Sequence, residues 1–109
     1  MKIHRLLSDG NDDSYYSHEF KVLIESHLNY LKSNDARLVD VSEHQNYKWE
    51  GDFYGLLDDF NISKDYHYAI MRMNGITNSA HYKGDLKMIV IPDYNVIERL
   101  KTILQTKNS

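Results

Sequence analysis

Histidines and a run of acidic residues near the N-terminus are the side chains that could bind a metal ion. Residues 9–13 (DGNDD) begin like a calcium-binding loop, with oxygen ligands at the first, third and fifth positions. The loop then lacks its glycine, because Ser14 stands there, and Phe20 stands where the bidentate acid is required. His18 opens the zinc-protease spacing, but Val22 stands where the second histidine is needed. We therefore predict no metal site and interpret the acidic run as a solvated turn before a helix.

The remaining acidic and nucleophilic side chains form no arrangement that is typical of an enzyme. Asp58 and Asp59 are adjacent on a predicted helix, where successive side chains point about 100° apart, so they cannot act on one substrate atom. No serine stands in a nucleophile elbow, and no glycine-containing loop has a phosphate-binding pattern. The chain contains no cysteine, which excludes thiol catalysis and thiolate zinc sites. We expect no catalytic residues, no cofactor and no enzymatic activity.

Aromatic residues are more abundant than a small two-stranded domain needs for its core. The chain has nine tyrosines, three phenylalanines and one tryptophan. Tyrosine is enriched at interfaces because it covers a large area with few rotatable bonds and carries a polar tip. We expect roughly half of these residues to fill the core and the others to contact a partner, with stacking on sugar rings as the alternative. The predicted interface residues are Tyr15, Tyr16, Tyr47, Trp49, Tyr54, Tyr82 and Tyr94.

Length and charge limit the classes of partner. A chain of 109 residues fits one domain, and 13 basic against 16 acidic residues give a formal charge of −3. Such a chain offers no basic surface for a phosphate backbone, so nucleic acid is not an expected partner. Residues 1–7 (MKIHRLL) lack the apolar run and the cleavage site of a secretory signal, and no stretch approaches the roughly 20 apolar residues that span a bilayer. We expect no membrane association and a protein that stays in the compartment where it is made.

One predicted helix precedes the central part of the chain, and one follows it. Apolar residues between Phe20 and Leu31 recur at the spacing of one helical face, and Ser17 can cap that helix. Asp93 can cap the last helix, because Pro92 stops the preceding strand. The side chains predicted on the buried face of the last helix are Val96, Ile97, Leu100, Ile103 and Leu104. We expect both helices to pack partly on the central part and partly on partner proteins.

Two strands and one ambiguous segment are predicted in the central part. Residues 37–43 alternate between apolar and polar side chains, and residues 86–91 are nearly all apolar, so both are predicted as strands. Residues 44–50 either extend the first strand or form an aromatic-bearing loop. Residues 77–82 are predicted as a loop.

Two helices are predicted between these strands. Asp52 can cap the first of them, and Ser63 is positioned to cap the second. The second helix should end at Asn74-Gly75, because glycine readily takes the left-handed conformation. The predicted order is α-β-α-α-β-α in one α+β domain.

Short motifs follow one another in this central part. Gly51 and Asp52 precede an apolar helix, a break follows at residues 61–63 (NIS), and the second helix ends in residues 73–78 (MNGITN). A strand then closes on residues 89–92 (IVIP). In these motifs the chain resembles the LysM domain, a β-α-α-β fold in which two short antiparallel strands pack on a pair of helices. The resemblance implies a LysM-like module in residues 37–92, after an N-terminal segment and flanking helix in 1–36 and before a C-terminal helix in 93–109.

The same unit between extra helices also resembles the LysM-like proteins of bacteriophage tails and baseplates. In those proteins a helix precedes the first strand, and the module serves mainly as a joint between proteins. The resemblance implies a structural component of a virion that is assembled in the host cytoplasm. Its expected partners are other tail subunits in a multi-copy assembly.

Carbohydrate binding is a second hypothesis, because LysM domains bind N-acetylglucosamine polymers such as peptidoglycan and chitin. In that family the sugar lies between the loop after the first strand and the loop after the second helix. The resemblance places this groove at Gly51, Asp52, Phe53, Asn74, Gly75, Ile76 and Thr77. Phe53 departs from the family, which usually has threonine or serine at that position. A small cytoplasmic adaptor or inhibitor is a third hypothesis.

Overall fold

The computed structural model describes residues 13–33 and 35–107, which form helices around one two-stranded sheet. In chain order the elements are α1 (His18–Ser26), α2 (Leu28–Ser33), β1 (Arg37–Asp40), α3 (Glu43–Trp49), α4 (Phe53–Asp59), α5 (His67–Met73), β2 (Met88–Ile91) and α6 (Tyr94–Lys107). Short 3₁₀ turns lie at Asp13–Tyr16, Lys64–Tyr66 and Ser79–His81. The predicted α+β class is confirmed, with helix as the dominant element.

The predicted first helix is in fact two helices, α1 and α2, that are separated at His27. Ser17 caps α1 as expected, because its Oγ accepts a hydrogen bond from the backbone N–H of Phe20 (3.1 Å). At His27 the backbone N–H bonds to the carbonyl oxygen of Ile24, three residues back, rather than to the carbonyl four residues back. The apolar face continues across the break, since Phe20, Ile24 and Leu31 are all buried.

Residues 44–50 belong mostly to helix α3, so the predictions of a strand or a loop there are both wrong. Ser42 and Gln45 start this helix as a capping box. The backbone N–H of Gln45 donates to Ser42 Oγ, and the backbone N–H of Ser42 donates to Gln45 Oε1, each over 3.0 Å. Helix α3 buries none of its residues, so hydrophobic periodicity could not reveal it. The S-x-x-Q spacing is the sequence signal that predicts its start.

Helix α4 begins where the sequence predicts it, whereas α5 begins at His67, three residues later than the predicted cap at Ser63 implies. Asp52 caps α4, because its Oδ1 accepts a hydrogen bond from the backbone N–H of Gly55 (2.9 Å). Ser63 caps a 3₁₀ turn that leads into α5, and its Oγ accepts from the backbone N–H of Asp65 (3.3 Å). Gly75 follows the end of α5 with φ of +79°, the left-handed conformation that the sequence predicts there.

Strands β1 and β2 pair antiparallel, and both are shorter than the predicted residues 37–43 and 86–91. Val39 lies opposite Ile89, and both side chains pack in the core. The neighbouring side chain of Leu38 lies on the other face of the sheet and is exposed. The sheet therefore buries one face and leaves part of the other accessible.

The side chain of Asn74 joins the end of α5 to the edge of β2. Its Nδ2 donates to the carbonyl oxygens of Ile70 (2.7 Å) and Val90 (3.0 Å). Its Oδ1 accepts a hydrogen bond from the backbone N–H of Val90 (2.8 Å). One side chain therefore pairs with both backbone polar groups of Val90 and takes the place of a neighbouring strand.

Two buried clusters share helix α5. The first joins α4, α5 and the sheet around Phe53, Leu56, Ile70 and Ile89. The second joins α1, α2, α5 and α6. Its buried members are Tyr15, Phe20, Ile24, Leu31, Ala69, Met73, Val96, Ile97 and Leu100. The flanking helices therefore dock on α5 and on each other through most of their apolar residues.

We expect Asn74→Ala to lower the free energy of unfolding by about 2 kcal/mol, because it removes three hydrogen bonds and leaves Val90 without its partner. Urea unfolding followed by circular dichroism measures this change. Asn95→Ala is the matched control, since Asn95 is exposed on α6, and its effect should stay below about 0.5 kcal/mol. Equal stability of the two variants would contradict the role assigned to Asn74.

Candidate functional site

A groove of about 260 Å³ lies beside the turn that follows α5. One wall is formed by residues 74–77, and the other by residues 81–86, which lead towards β2. The lining residues are Asn74, Gly75, Ile76, Thr77, His81, Tyr82, Lys83, Asp85 and Leu86. The structure therefore brings the second half of the predicted sugar site, residues 74–77, together in one groove.

The other half of the predicted sugar site does not line this groove. The backbone N–H of Gly51 donates to the carbonyl oxygen of Tyr82 (2.8 Å). Phe53 is buried, and its ring meets the ring of Tyr82 edge-on with 5.2 Å between centroids. Asp52 Oδ1 caps α4 and lies 3.5 Å from Ser79 Oγ. The two halves are therefore connected through residues 79–82 rather than across a shared hollow.

Asn74, a polar residue of the predicted sugar site, already forms its side-chain hydrogen bonds within the domain. The side-chain amide of Asn74 uses both donor hydrogens and one acceptor site on Ile70 and Val90. Ile76 is half-buried and packs on the core, and its carbonyl oxygen accepts a hydrogen bond from Arg72 Nη1 (3.0 Å). These side chains stabilise the turn, which leaves little of them to contact a ligand.

Different polar side chains reach the groove from its second wall. His81, Lys83 and Asp85 are exposed there, opposite Thr77, which is exposed on the first wall. Sequence reasoning misses them because residues 77–82, which include His81, are predicted as a loop, and residues 83–85 belong to no predicted element. Hydrogen bonds between distant segments hold this segment opposite the turn: Asn74 bonds to Val90, the N–H of Gly51 donates to the carbonyl oxygen of Tyr82, and Asn46 Nδ2 donates to that of Leu86. The groove therefore offers groups of both charges and no cluster of one sign.

Tyr15, a predicted interface residue, is an interior residue instead. Its hydroxyl donates to Glu98 Oε2 (2.5 Å), and Lys101 Nζ lies 3.1 Å from the same hydroxyl oxygen. The hydroxyl of Tyr66 donates to the same oxygen of Glu98 (2.7 Å). Burial first, and then the Glu98 carboxylate, raise the pKa of both phenols. Both hydroxyls therefore stay protonated and hold α6 to the rest of the domain.

Three more of the predicted interface residues bury much of their side-chain surface inside the domain. Tyr82 is buried, and its hydroxyl donates to Asn46 Oδ1 of α3. Tyr94 stacks on Tyr66 with 4.5 Å between centroids and 10° between ring planes. Tyr54 is half-buried against the core. Packing within the domain therefore accounts for several of the tyrosines that are predicted to contact partner proteins.

The remaining predicted interface residues differ in how exposed their side chains are. Tyr47 on α3 is 83% exposed. Trp49 is half-buried on the same helix, and its Nε1 donates to Asp59 Oδ2 (3.2 Å). Tyr16 is exposed at its ring, while its hydroxyl donates to the carbonyl oxygen of Lys64. Tyr47 therefore has the largest exposed fraction of the three.

An apolar surface that sequence reasoning missed lies between α1–α2 and α6. Val22 is 52% exposed and Ile103 is 56% exposed, although Ile103 was predicted on the buried face of α6. Two hollows of about 370 and 330 Å³ border Ile103 on its two sides. We name this surface the helical groove. Its lining residues are His18, Glu19, Val22, Leu23, Ser26, His27, Tyr30, Val96, Arg99, Leu100, Ile103 and Leu104.

His67 is a buried titratable side chain at the start of α5. It is 2% exposed, its Nε2 lies 2.9 Å from the carbonyl oxygen of Ile62, and Asp58 Oδ1 lies 3.6 Å away. Its ring lies 5.2 Å from the ring of Tyr54. Burial lowers the pKa of His67 and outweighs the opposing effects of the Ile62 carbonyl and the Asp58 carboxylate. The imidazole is therefore neutral and acts as a structural donor.

Metal binding and membrane crossing find no support in residues 13–33 and 35–107. No three His, Asp or Glu side chains within that part of the chain approach closely enough to hold a metal ion. The acidic run 9–13 lies almost wholly outside those residues. No helix in the same part is long and apolar enough to cross a membrane.

Comparison with protein-family models, with curated proteins and with solved structures finds no match for the chain.

The buried His67 predicts a pH dependence of stability. Its folded-state pKa lies below the unfolded value of about 6.5, so the unfolded chain binds more protons between the two pKa values. Stability is therefore full above pH 6.5 and decreases as the pH falls below it, by at most about 1.4 kcal/mol per pH unit from this residue. Urea unfolding at several pH values measures the slope.

His67→Gln keeps a hydrogen-bond donor to the carbonyl oxygen of Ile62 and removes the titrating imidazole. It should therefore flatten the dependence of the free energy of unfolding on pH between pH 6.5 and 5. His44→Gln is the control, because His44 is exposed on α3. An unchanged slope in His67→Gln would contradict the neutral, buried state of this imidazole.

Proposed function

We propose that this chain is a structural component of a bacteriophage virion, in its tail or baseplate, where it joins neighbouring subunits of a multi-copy assembly. The observation that carries the proposal is the helical groove, which no described residue covers. Exposed apolar surfaces that are contiguous and rimmed by polar residues are typical of protein–protein interaction sites. The flanking helices make the joint, and the central module holds them in place.

The helical groove has the composition of an interaction site. Val22, Tyr30 and Ile103 provide exposed apolar and aromatic area, and Glu19 and Arg99 provide a rim with charges of both signs. Stable interfaces combine an apolar centre with a polar rim in this way. Burial against an apolar segment of a neighbouring subunit would contribute about 25 cal/mol for each Å² of apolar surface removed from water.

The internal use of polar side chains in the central module favours a joint over a sugar receptor. Asp52 caps α4, and Asn74 pairs with β2, so these two side chains of the predicted sugar groove are engaged within the domain. Phe53 is buried rather than presented to a ligand. These residues are needed for folding whether or not a sugar binds.

The resemblance to LysM-like tail proteins supports the same proposal. The elements β1, α4, α5 and β2 follow a β-α-α-β order with antiparallel strands, and helices α1 and α2 precede β1. Helix α3 departs from this order, because it stands between the first strand and Gly51. We interpret α3 as an addition to a LysM-like unit, packed on its outer side through Asn46 and Trp49.

The proposal predicts that the chain is a constituent of tail-like particles purified from the cells that encode it, as measured by mass spectrometry. Ile103→Lys should lower its amount in particles at least about tenfold, because burying an unpaired charge costs more than about 1.4 kcal/mol. Thr102→Lys is the matched control, since Thr102 is exposed on the same helix and the charge change is identical. It should be incorporated normally.

Two outcomes would count against the virion proposal. One is absence of the unaltered chain from purified particles. The other is equal incorporation of Ile103→Lys and Thr102→Lys. Capture of one host protein in a fixed ratio, with no particle, would instead favour the adaptor hypothesis. Circular dichroism checks the folding of both variants, and both should fold because both sites are exposed.

Binding of N-acetylglucosamine polymers is a second candidate, favoured by one observation. The groove beside residues 74–77 lies where the LysM resemblance places part of a sugar site. Thr77, His81 and Asp85 are exposed there and can form hydrogen bonds. Ile76 lines the same groove and supplies apolar area.

Nuclear magnetic resonance tests this second candidate directly. Chitin oligomers should shift the backbone amide signals of residues 74–77 and 81–86 in a saturable manner. Cellulose oligomers of equal length lack the N-acetyl group and serve as the matched ligand control. No shift with either oligomer, or equal shifts with both, would remove specific N-acetylglucosamine binding from the account.

A further inference from the structure

In the part of the chain that the structure describes, the hydrogen-bonding pattern of the sheet leaves the outer edge of β1 open. Residues in an antiparallel pair alternate between those whose backbone groups face the partner strand and those whose groups face away. Both backbone polar groups of Val90 bond to Asn74, so they face away from β1. Leu38 lies opposite Val90, and its own backbone groups therefore face the outer edge of β1. By the same alternation those of Asp40 also face outward.

The hydrogen bond that follows the sheet confirms this alternation. The backbone N–H of Val41 donates to the carbonyl oxygen of Lys87 (2.9 Å), so the odd-numbered residues of this segment face β2. Within residues 13–33 and 35–107, no backbone hydrogen bond covers the outer side of Leu38 or Asp40. Among the described residues, Asn74 closes the edge of β2, whereas no backbone hydrogen bond closes the outer edge of β1.

The open edge is accessible and apolar at its centre. Leu38 is 62% exposed, and Met88 is exposed diagonally across from it on the same face of the sheet. Proteins commonly protect open edges with proline, lysine or a bulge. Strand β1 (RLVD) has no proline, lysine or bulge, and its only protection is its length of four residues and the charges of Arg37 and Asp40. An exposed leucine on an open strand edge is a site for adding another strand.

We propose that the open edge of β1 pairs with the same edge of a second copy of this chain, to form a four-stranded antiparallel sheet about a twofold axis. In the register that we propose, Leu38 lies opposite Leu38 of the second copy. Each of these leucines donates its backbone N–H to the carbonyl oxygen of the other. Ala36 then lies opposite Asp40 of the second copy.

The choice of a second copy rests on the self-complementarity of this register. It aligns Val90, Leu38 and their two counterparts in one apolar row across four strands. It places no like charges opposite each other, since Asp40 faces the small side chain of Ala36 and remains next to water. A register centred on Val39 would instead place the carboxylate of Asp40 beside Leu38. A closed twofold dimer is also the commonest form of protein self-association.

The paired surface is short, so the association is weak. An edge of four residues buries less than the roughly 1,200 Å² of a standard stable interface, and the dimer should form at chain concentrations of about 100 µM and above. This contact lies on the sheet and is separate from the helical groove. It therefore does not depend on the proposed virion function.

Cysteine cross-linking tests the register, because the chain contains no native cysteine. Leu38→Cys brings two thiols together in a pair whose Cα atoms lie about 5.5 Å apart, within the range for a disulfide. After mild oxidation at high concentration, it should give at least about fivefold more covalent dimer than Asp40→Cys or Tyr47→Cys on a non-reducing gel. Tyr47→Cys is the matched control, because Tyr47 is more exposed than Leu38 but lies off the edge.

Sedimentation equilibrium gives a second, independent readout without any cysteine. The average mass of the unaltered chain should rise above 12.9 kDa with concentration, whereas Leu38→Lys should remain at 12.9 kDa. A chain that stays monomeric up to about 500 µM would overturn the proposal. Equal cross-linking of the three cysteine variants would overturn it as well. Stronger cross-linking through Asp40→Cys would overturn the register centred on Leu38.

Discussion

The side-chain amide of Asn74 is the interaction on which the arrangement of this domain depends. It ties the last turn of α5 to the backbone of Val90 in β2, through one accepted and two donated hydrogen bonds. This positions the turn at Gly75 and sets the groove beside it. It also closes one edge of the sheet with a side chain instead of a strand. The edge that the described residues leave accessible is therefore on β1. One wall of the groove carries an amide whose hydrogen bonds are already formed within the domain.

The flanking helices are held by charged and phenolic groups that surround the second buried cluster. The Glu98 carboxylate of α6 accepts hydrogen bonds from Tyr15 and Tyr66. Glu25 of α1 pairs with Arg72 of α5 through two nitrogen–oxygen contacts of 2.5 and 3.1 Å. The pair is partly exposed, so its geometry positions α1 more than it stabilises the fold. Tyr15 and Tyr66 therefore serve to hold α6 in its orientation. The large apolar side chains that remain exposed on the domain are aliphatic as well as aromatic.

Most element types could be predicted because their signals lie within a few residues of each element. The caps at Ser17 and Asp52 and the turn at Gly75 are examples. Helix α3 has only a capping box and no buried side chain, so periodicity gave no sign of it. The sites depend on packing between distant segments. Ile103 has the helical spacing of a core residue, yet it faces water because the neighbouring helices cover only part of the apolar face of α6.

The central claim is that the helical groove is covered by a neighbouring subunit in an assembled particle. Hydroxyl-radical footprinting of the chain alone and within purified tail-like particles tests it most directly. The account predicts that modification of Val22, Tyr30 and Ile103, which is strong in the isolated chain because all three are exposed, falls sharply in the particle. Equal modification of these three residues in the isolated chain and in the particle would contradict it.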